Sequence, residues 1–181
     1  MKSKIFANVM FAALIILTSF ACHPEEVTST EVGTIKATID GESFKSTGAF
    51  GAIVSDSLVP SEIFTISGAN LQLSSLIISF TGEMLNLTEK TYNQNGDVDD
   101  CTGTNGSPCV GLGFSKTNLI AGTQDDWSNT HPSSKVKVVI TDIDYQVGGS
   151  VKGTFEGTLY DSSVDAQSVE VKNGSFNVKI Q

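Results

Sequence analysis

Arginine is absent from this chain, so lysine supplies all its strong side-chain cations, and the only imidazoles are His23 and His131. Arginine is the residue that grips phosphate and carboxylate with two parallel hydrogen bonds. A chain without it, with a formal charge of −9, is a poor ligand for a phosphate backbone, and nucleic acid is excluded as a partner. Two histidines leave little for a Ser-His-Asp triad or a zinc site. No serine stands in the Gly-x-Ser-x-Gly turn that presents a nucleophile in hydrolases. Nothing singles out a pair among the many carboxylates for glycoside hydrolysis, so no catalytic residue is assigned. The sequence also lacks an apolar run of ~20 residues, the length that crosses a bilayer as a helix. No segment holds a helical period over three turns.

What is present is concentrated at the start. Lys2 and Lys4 precede an apolar run from Ile5 to Leu17, then Thr18-Ser19-Phe20-Ala21-Cys22. A basic start, a short apolar core and a small residue before a cut are the marks of a secretory signal. The segment resembles the lipobox of bacterial lipoproteins, with Ser19 where leucine is usual. The resemblance implies cleavage after Ala21 and acylation of Cys22, which then anchors the chain in a lipid bilayer. Two or three acyl chains hold where one does not, since each buried methylene contributes ~0.8 kcal/mol. Glu25-Glu26 resembles the acidic export signal of surface lipoproteins of Bacteroidetes. It implies the outer membrane, with the cell surface preferred over the periplasmic face. Loss of residues 1–21 removes Lys2 and Lys4 and takes the charge from −9 to −11. Residues 22–32 then read as the lipidated cysteine and a flexible tether, and 33–181 as one domain.

With Cys22 acylated, Cys101 and Cys109 remain as an even pair in an exported chain, the arrangement of one disulfide. A zinc site would need ligands that the spacing does not provide.

Beyond Gly33 the periodicity is two. Thr34–Ile39 alternates, Asp40-Gly41 supplies a tight turn, and Glu42–Lys45 returns. Strands are predicted at Ala49–Val54, Ile63–Ser67, Ser75–Thr81 (apolar on both faces, hence central), Val110–Ser115, Lys135–Tyr145 and Ser150–Tyr160. A short strand is predicted at Asn118–Gly122. Asn173-Gly174 is predicted to turn Ser168–Lys172 back on Ser175–Ile180. Residues 93–108 and 124–134 read as polar loops. Many short strands with Gly, Asn and Asp turns predict an antiparallel all-β domain, a sandwich or else an up-and-down barrel. Gly153 and Gly157, on the inward face of one strand, are predicted to admit a bend or a large neighbour. The runs Ile140–Asp144, Val151–Leu159 and Val169–Val178, with the opening Thr34–Phe44, are similar to small all-β lipoproteins of Bacteroidetes. That resemblance implies the fold and transfers no site.

Three groups of residues could carry function. Asn95, Asp97 and Asp99 offer oxygen ligands at alternate positions, as calcium prefers, against the plain reading of a solvated turn. Trp127, the one tryptophan, stands beside Asp125 and Asp126. There a ring could stack on a sugar while the acids take its hydroxyls, or simply anchor a loop. Asp56-Ser57-Leu58 resembles the O-glycosylation sequon of exported Bacteroidetes proteins and makes Ser57 the candidate acceptor. The expectation is a non-enzymatic exported module that meets a protein or glycan through its loops. The alternatives are a carboxylate hydrolase and a barrel enclosing a small apolar ligand.

Overall fold

A computed structural model of the protein describes residues 30–55, 62–83, 85–99, 101, 103, 107–161 and 167–181. The signal segment, Cys22 and Ser57 lie outside the described residues. Those described form eleven strands: β1 (Thr34–Ile39), β2 (Glu42–Lys45), β3 (Gly48–Ser55), β4 (Glu62–Ala69), β5 (Ser74–Gly82), β6 (Thr91–Asn95), β7 (Cys109–Asn118), β8 (Thr123–Ser128), β9 (Lys135–Ile143), β10 (Ser150–Asp161) and β11 (Ser168–Lys179). No helix occurs among the described residues. The all-β, antiparallel expectation is met.

The strands make one sheet in the order β2-β1-β11-β10-β8-β7-β5-β4-β3, all of its ladders antiparallel. β10 is long enough to hold two partners on one edge. Residues Val151 to Thr158 pair with β9, and Tyr160 and Asp161 pair with β8. β9 in turn carries β6. The sheet curls round on itself. Its outermost strands, β2 and β3, are joined through Ser46-Thr47, and β3 meets the chain's end through a parallel bridge between Gly51 and Ile180.

Period two explains the core. Ile35, Ala37 and Ile39 of β1 point inward, as do Phe64 and Ile66 of β4, Leu76, Ile78 and Phe80 of β5, and Val136, Val138 and Ile140 of β9. The interior is packed with side chains, among them Phe64, Phe80 and Phe176, which are fully buried. Each such aliphatic or aromatic side chain stabilises the fold by ~1.5–3 kcal/mol when removed from water. β5 is central, between β4 and β7. Its second apolar face is not buried, however, since Ile77 stands half exposed.

Five predicted segments differ. Asn173-Gly174 is not a turn: Ser168–Lys179 is one unbroken strand, with a bulge at this dipeptide against both β1 and β10. Asn173 takes the left-handed conformation (φ 51°), which Asn tolerates, and this lodges one extra residue in the ladder. The polar stretch 93–108 begins as β6, and 124–134 begins as β8, which holds Trp127. Residues 119–122 form the β7–β8 turn and not a strand. The supposed tether is also shorter than 22–32. Thr30 is buried, its hydroxyl donates to Ser175 (2.8 Å), and its carbonyl accepts from Asn177 Nδ2 (2.8 Å).

Gly153 behaves as predicted, since a Cβ there would lie 2.6 Å from the Phe176 ring. Phe176 stacks on Phe155 with ring centroids 6.3 Å apart.

Candidate functional site

A surface cleft of about 590 Å³ opens where the first hairpin faces β7 and β8. Its apolar lining is Ile39, Phe44, Phe114, Val169 and Trp127; its polar lining includes Glu42, Asn70, Gln72 and Lys116. The sequence accounts for how these meet. Asp40-Gly41, both at positive φ, reverse the chain tightly and bring β2 back along β1. Phe44, the inward residue of β2, meets Phe114 edge to face at 6.3 Å. Phe114 and Trp127 are direct cross-strand neighbours on β7 and β8, and their rings stack at 5.6 Å. Edge-to-face and offset-stacked contacts suit the ring quadrupoles and fix the two rings.

Trp127 is half-buried, and its indole Nε1–H is buried with no hydrogen-bond partner among the described residues. A buried donor left unpaired costs ~1–3 kcal/mol. Lys116 Nζ lies 3.2 Å from Glu42 Oε2, an exposed pair that ties β7 to β2 across the cleft. Such pairs stabilise by ~0–1 kcal/mol, so this one can be exchanged for a ligand's hydroxyls at little cost.

The predicted trio of Asp125, Asp126 and Trp127 is divided by the strand. Asp125 shares the face of Trp127 and lies opposite Lys116. Asp126 points to the other face, where the Ser115 hydroxyl and the Gln124 amide hold its carboxyl below the usual carboxylate range. Gln124 Nε2 donates to it at 2.8 Å. The acids nearest the cleft are therefore Asp40 and Glu42, more than eighty positions away in sequence, which no local pattern could bring to Trp127. Asp40 is committed to structure, since its Oδ1 accepts the Glu170 amide at 2.7 Å.

Asn95, Asp97 and Asp99 fall at and beyond the end of β6. Asp97 Oδ1 accepts the Asp99 amide at 2.9 Å, which closes a local turn. Among the described residues no three His, Cys, Asp or Glu side chains gather as metal ligands do. Cys101 and Cys109 are bonded, with Cα atoms 5.8 Å apart. The disulfide fastens the segment after β6 to the start of β7. His131 stacks on Tyr160 at 4.3 Å, and its Nδ1 accepts the Ser133 amide, so it serves a turn.

No protein-family model, curated protein or solved structure matches the chain.

Proposed function

We propose that this chain is an exported lipoprotein, anchored in the outer membrane through acylated Cys22, that binds a saccharide in the cleft beside Trp127 without transforming it. The observation that carries this reading is the cleft's composition: half-buried Trp127 and the edges of the core residues Ile39, Phe44, Phe114 and Val169, together with amide, hydroxyl, carboxylate and ammonium groups. A sugar has the matching mixed character, with apolar C–H faces and a belt of hydroxyls. Apolar pockets with a few placed polar groups are the general form of small-ligand sites.

Binding is favoured over hydrolysis by the state of the carboxylates. Asp40 accepts a backbone amide and Glu42 pairs with Lys116, so neither is set as an acid or base. A surface cleft is favoured over an enclosed apolar ligand because the interior already holds Phe64, Phe80 and Phe176 in close packing. The anchor rests on the lipobox-like Thr18–Cys22 and the Lys2–Leu17 signal.

The test is a glycan array probed with the processed chain, alongside its Trp127→Ala variant. Saturable binding to a defined saccharide class, weakened roughly tenfold in the variant, is expected from the loss of one aromatic stacking contact. Equal binding by both proteins, or none by either, would contradict the proposal. Intact mass of the membrane-extracted protein tests the anchor separately, since acylation adds the mass of the lipid to residues 22–181.

A further inference from the structure

Two neighbouring hairpin tips carry large apolar side chains into solvent. The β4–β5 turn presents Leu71 and Leu73, 83% and 44% exposed, and the β7–β8 turn presents Leu119 and Ile120, 75% and 101% exposed. The tips are adjacent: Ser74 pairs with Lys116, and the Thr117 amide donates to the Leu73 carbonyl at 3.1 Å. Single exposed leucines are ordinary, but four on two touching turns make a patch. In a strongly acidic chain the sequence here is also free of charge. No charged residue occurs from Ile63 to Gly82, or from Thr117 to Gln124.

The chain's entry into the domain borders the β4–β5 tip. Glu31 lines one hollow together with Leu71 and Gln72. From Cys22 to Thr30 the chain spans about 28 Å at full stretch. An anchor at Cys22 therefore keeps this end of the domain within reach of the bilayer.

We infer that the Leu71/Leu73 and Leu119/Ile120 tips dip into the lipid bilayer, a second membrane contact beside the acyl anchor. This rests on the lipoprotein reading for its anchor. Uncharged turns suit an acidic body: they bring no carboxylate of their own, and Glu31, which shares a hollow with Leu71, is paired with Lys45 at 3.1 Å. Asn70 and Gln72, which flank Leu71, also line the cleft. A domain seated this way holds the cleft beside the headgroup layer, where a glycolipid's sugar would lie.

The test places an indole at the tip. Membrane-extracted I120W protein is reconstituted in phosphatidylethanolamine–phosphatidylglycerol vesicles containing lipids brominated along the acyl chain. Wild type gives the Trp127 baseline. V147W is the control, because Val147 lies in the β9–β10 turn, at the far end of β10 from β8. A roughly twofold loss of the I120W emission, with V147W unaffected, is expected for a side chain at the headgroup–acyl boundary. In C22S protein of the processed length, residues 22–181, L71S/I120S should lower vesicle partitioning about tenfold. Unquenched I120W in protein whose mass confirms the lipid would overturn the inference and leave the anchor intact. Lipid-free protein that still shows quenching would sink the anchor and retain the tips. A dimer in solution that L71S/I120S dissolves, with no quenching, would assign the patch to a second copy and also overturn the inference.

Discussion

Asn129 and Leu112 form a two-way bridge in which a side chain stands in for a backbone group. The Asn129 amide donates to the Leu112 carbonyl at 3.2 Å, and Leu112 N–H donates to Asn129 Oδ1 at 2.8 Å. Asn129 Nδ2 then donates to the Val110 carbonyl at 2.8 Å. The same device recurs where Ser46 bridges Ile35 and where Asp40 bridges Glu170. In each case a residue just past a strand end completes the neighbour's hydrogen bonds, and at Leu112 and Ile35 the backbone is buried and cannot leave them unmade.

Asn129→Ala is accordingly expected to destabilise the fold by ~2–4 kcal/mol, because two buried backbone groups lose partners at once. Asn129→Asp keeps the acceptor and replaces the donor with an oxygen facing the Val110 carbonyl, so it should cost about as much. Urea denaturation of the three proteins decides this. Both variants should also loosen β8 and shift the emission of Trp127.

Gly174 lies against Phe155, and a Cβ added there would sit 2.6 Å from its ring and closer still to its carbonyl oxygen. Gly174→Ala should push β10 and the Phe155 ring away from β11, disturb the stack with Phe176 and lower stability by ~1–3 kcal/mol, as overpacking does. Gly41→Ala is the comparison. A Cβ there meets open space, so any cost comes from the positive φ alone. Thermal melts of the pair should show the larger loss for Gly174→Ala.

The Asn-Gly dipeptide at 173–174 also shows where sequence reasoning reaches its limit. Left-handed φ at Asn serves a hairpin turn and a bulge equally, and only the pairing of β11 with both β1 and β10 decides between them. β6 and β8 were hidden for a different reason. Thr91–Asn95 buries only Tyr92, and Thr123–Asp126 is wholly exposed, so neither carries a hydrophobic period. Their ladders come from neighbours that are themselves well specified. Strands that bury a full face, such as Thr34–Ile39 and Lys135–Ile143, were legible because their alternation is the cause of their burial. At the site, Trp127 stood out by being the only one of its kind. Lys116 and Asn70 reach it through the β7–β8 and β5–β7 ladders, whereas Glu42 could not be linked to it without the curl of the sheet.

Tyr145 packs edge to face on Phe64 at 5.5 Å, and its hydroxyl is buried without a partner among the described residues. Burial, and then the charge of Glu62, raise the phenol's pKa well above its ordinary value of 10.0. The unfolded chain therefore loses this proton first. The stabilisation is complete below pH 10 and is lost as pH rises from there towards the folded value. Tyr145→Phe removes that alkaline loss. At neutral pH it should be neutral or stabilising by up to ~1 kcal/mol, since an unpaired buried hydroxyl disappears. Stability curves between pH 7 and 11 for both proteins check the direction.

The Cys101–Cys109 bond closes a short loop, with a sequence separation of 8. Cys101→Ser with Cys109→Ser should cost about 2 kcal/mol, through the greater freedom of the unfolded chain. The loss should appear in the urea midpoint. Hydrogen exchange should quicken first at Val98, whose amide donates to the Asn129 carbonyl at 3.0 Å.

The most direct test of the binding role uses the chain's single tryptophan. Trp127 lines the cleft, so its intrinsic fluorescence reports on the site with no added probe. Titration of the processed protein with the saccharides an array selects should give a saturable change in emission, absent for non-binding sugars. A saccharide that binds by calorimetry yet leaves Trp127 emission unchanged, and binds Trp127→Ala equally well, would place the function elsewhere on the molecule.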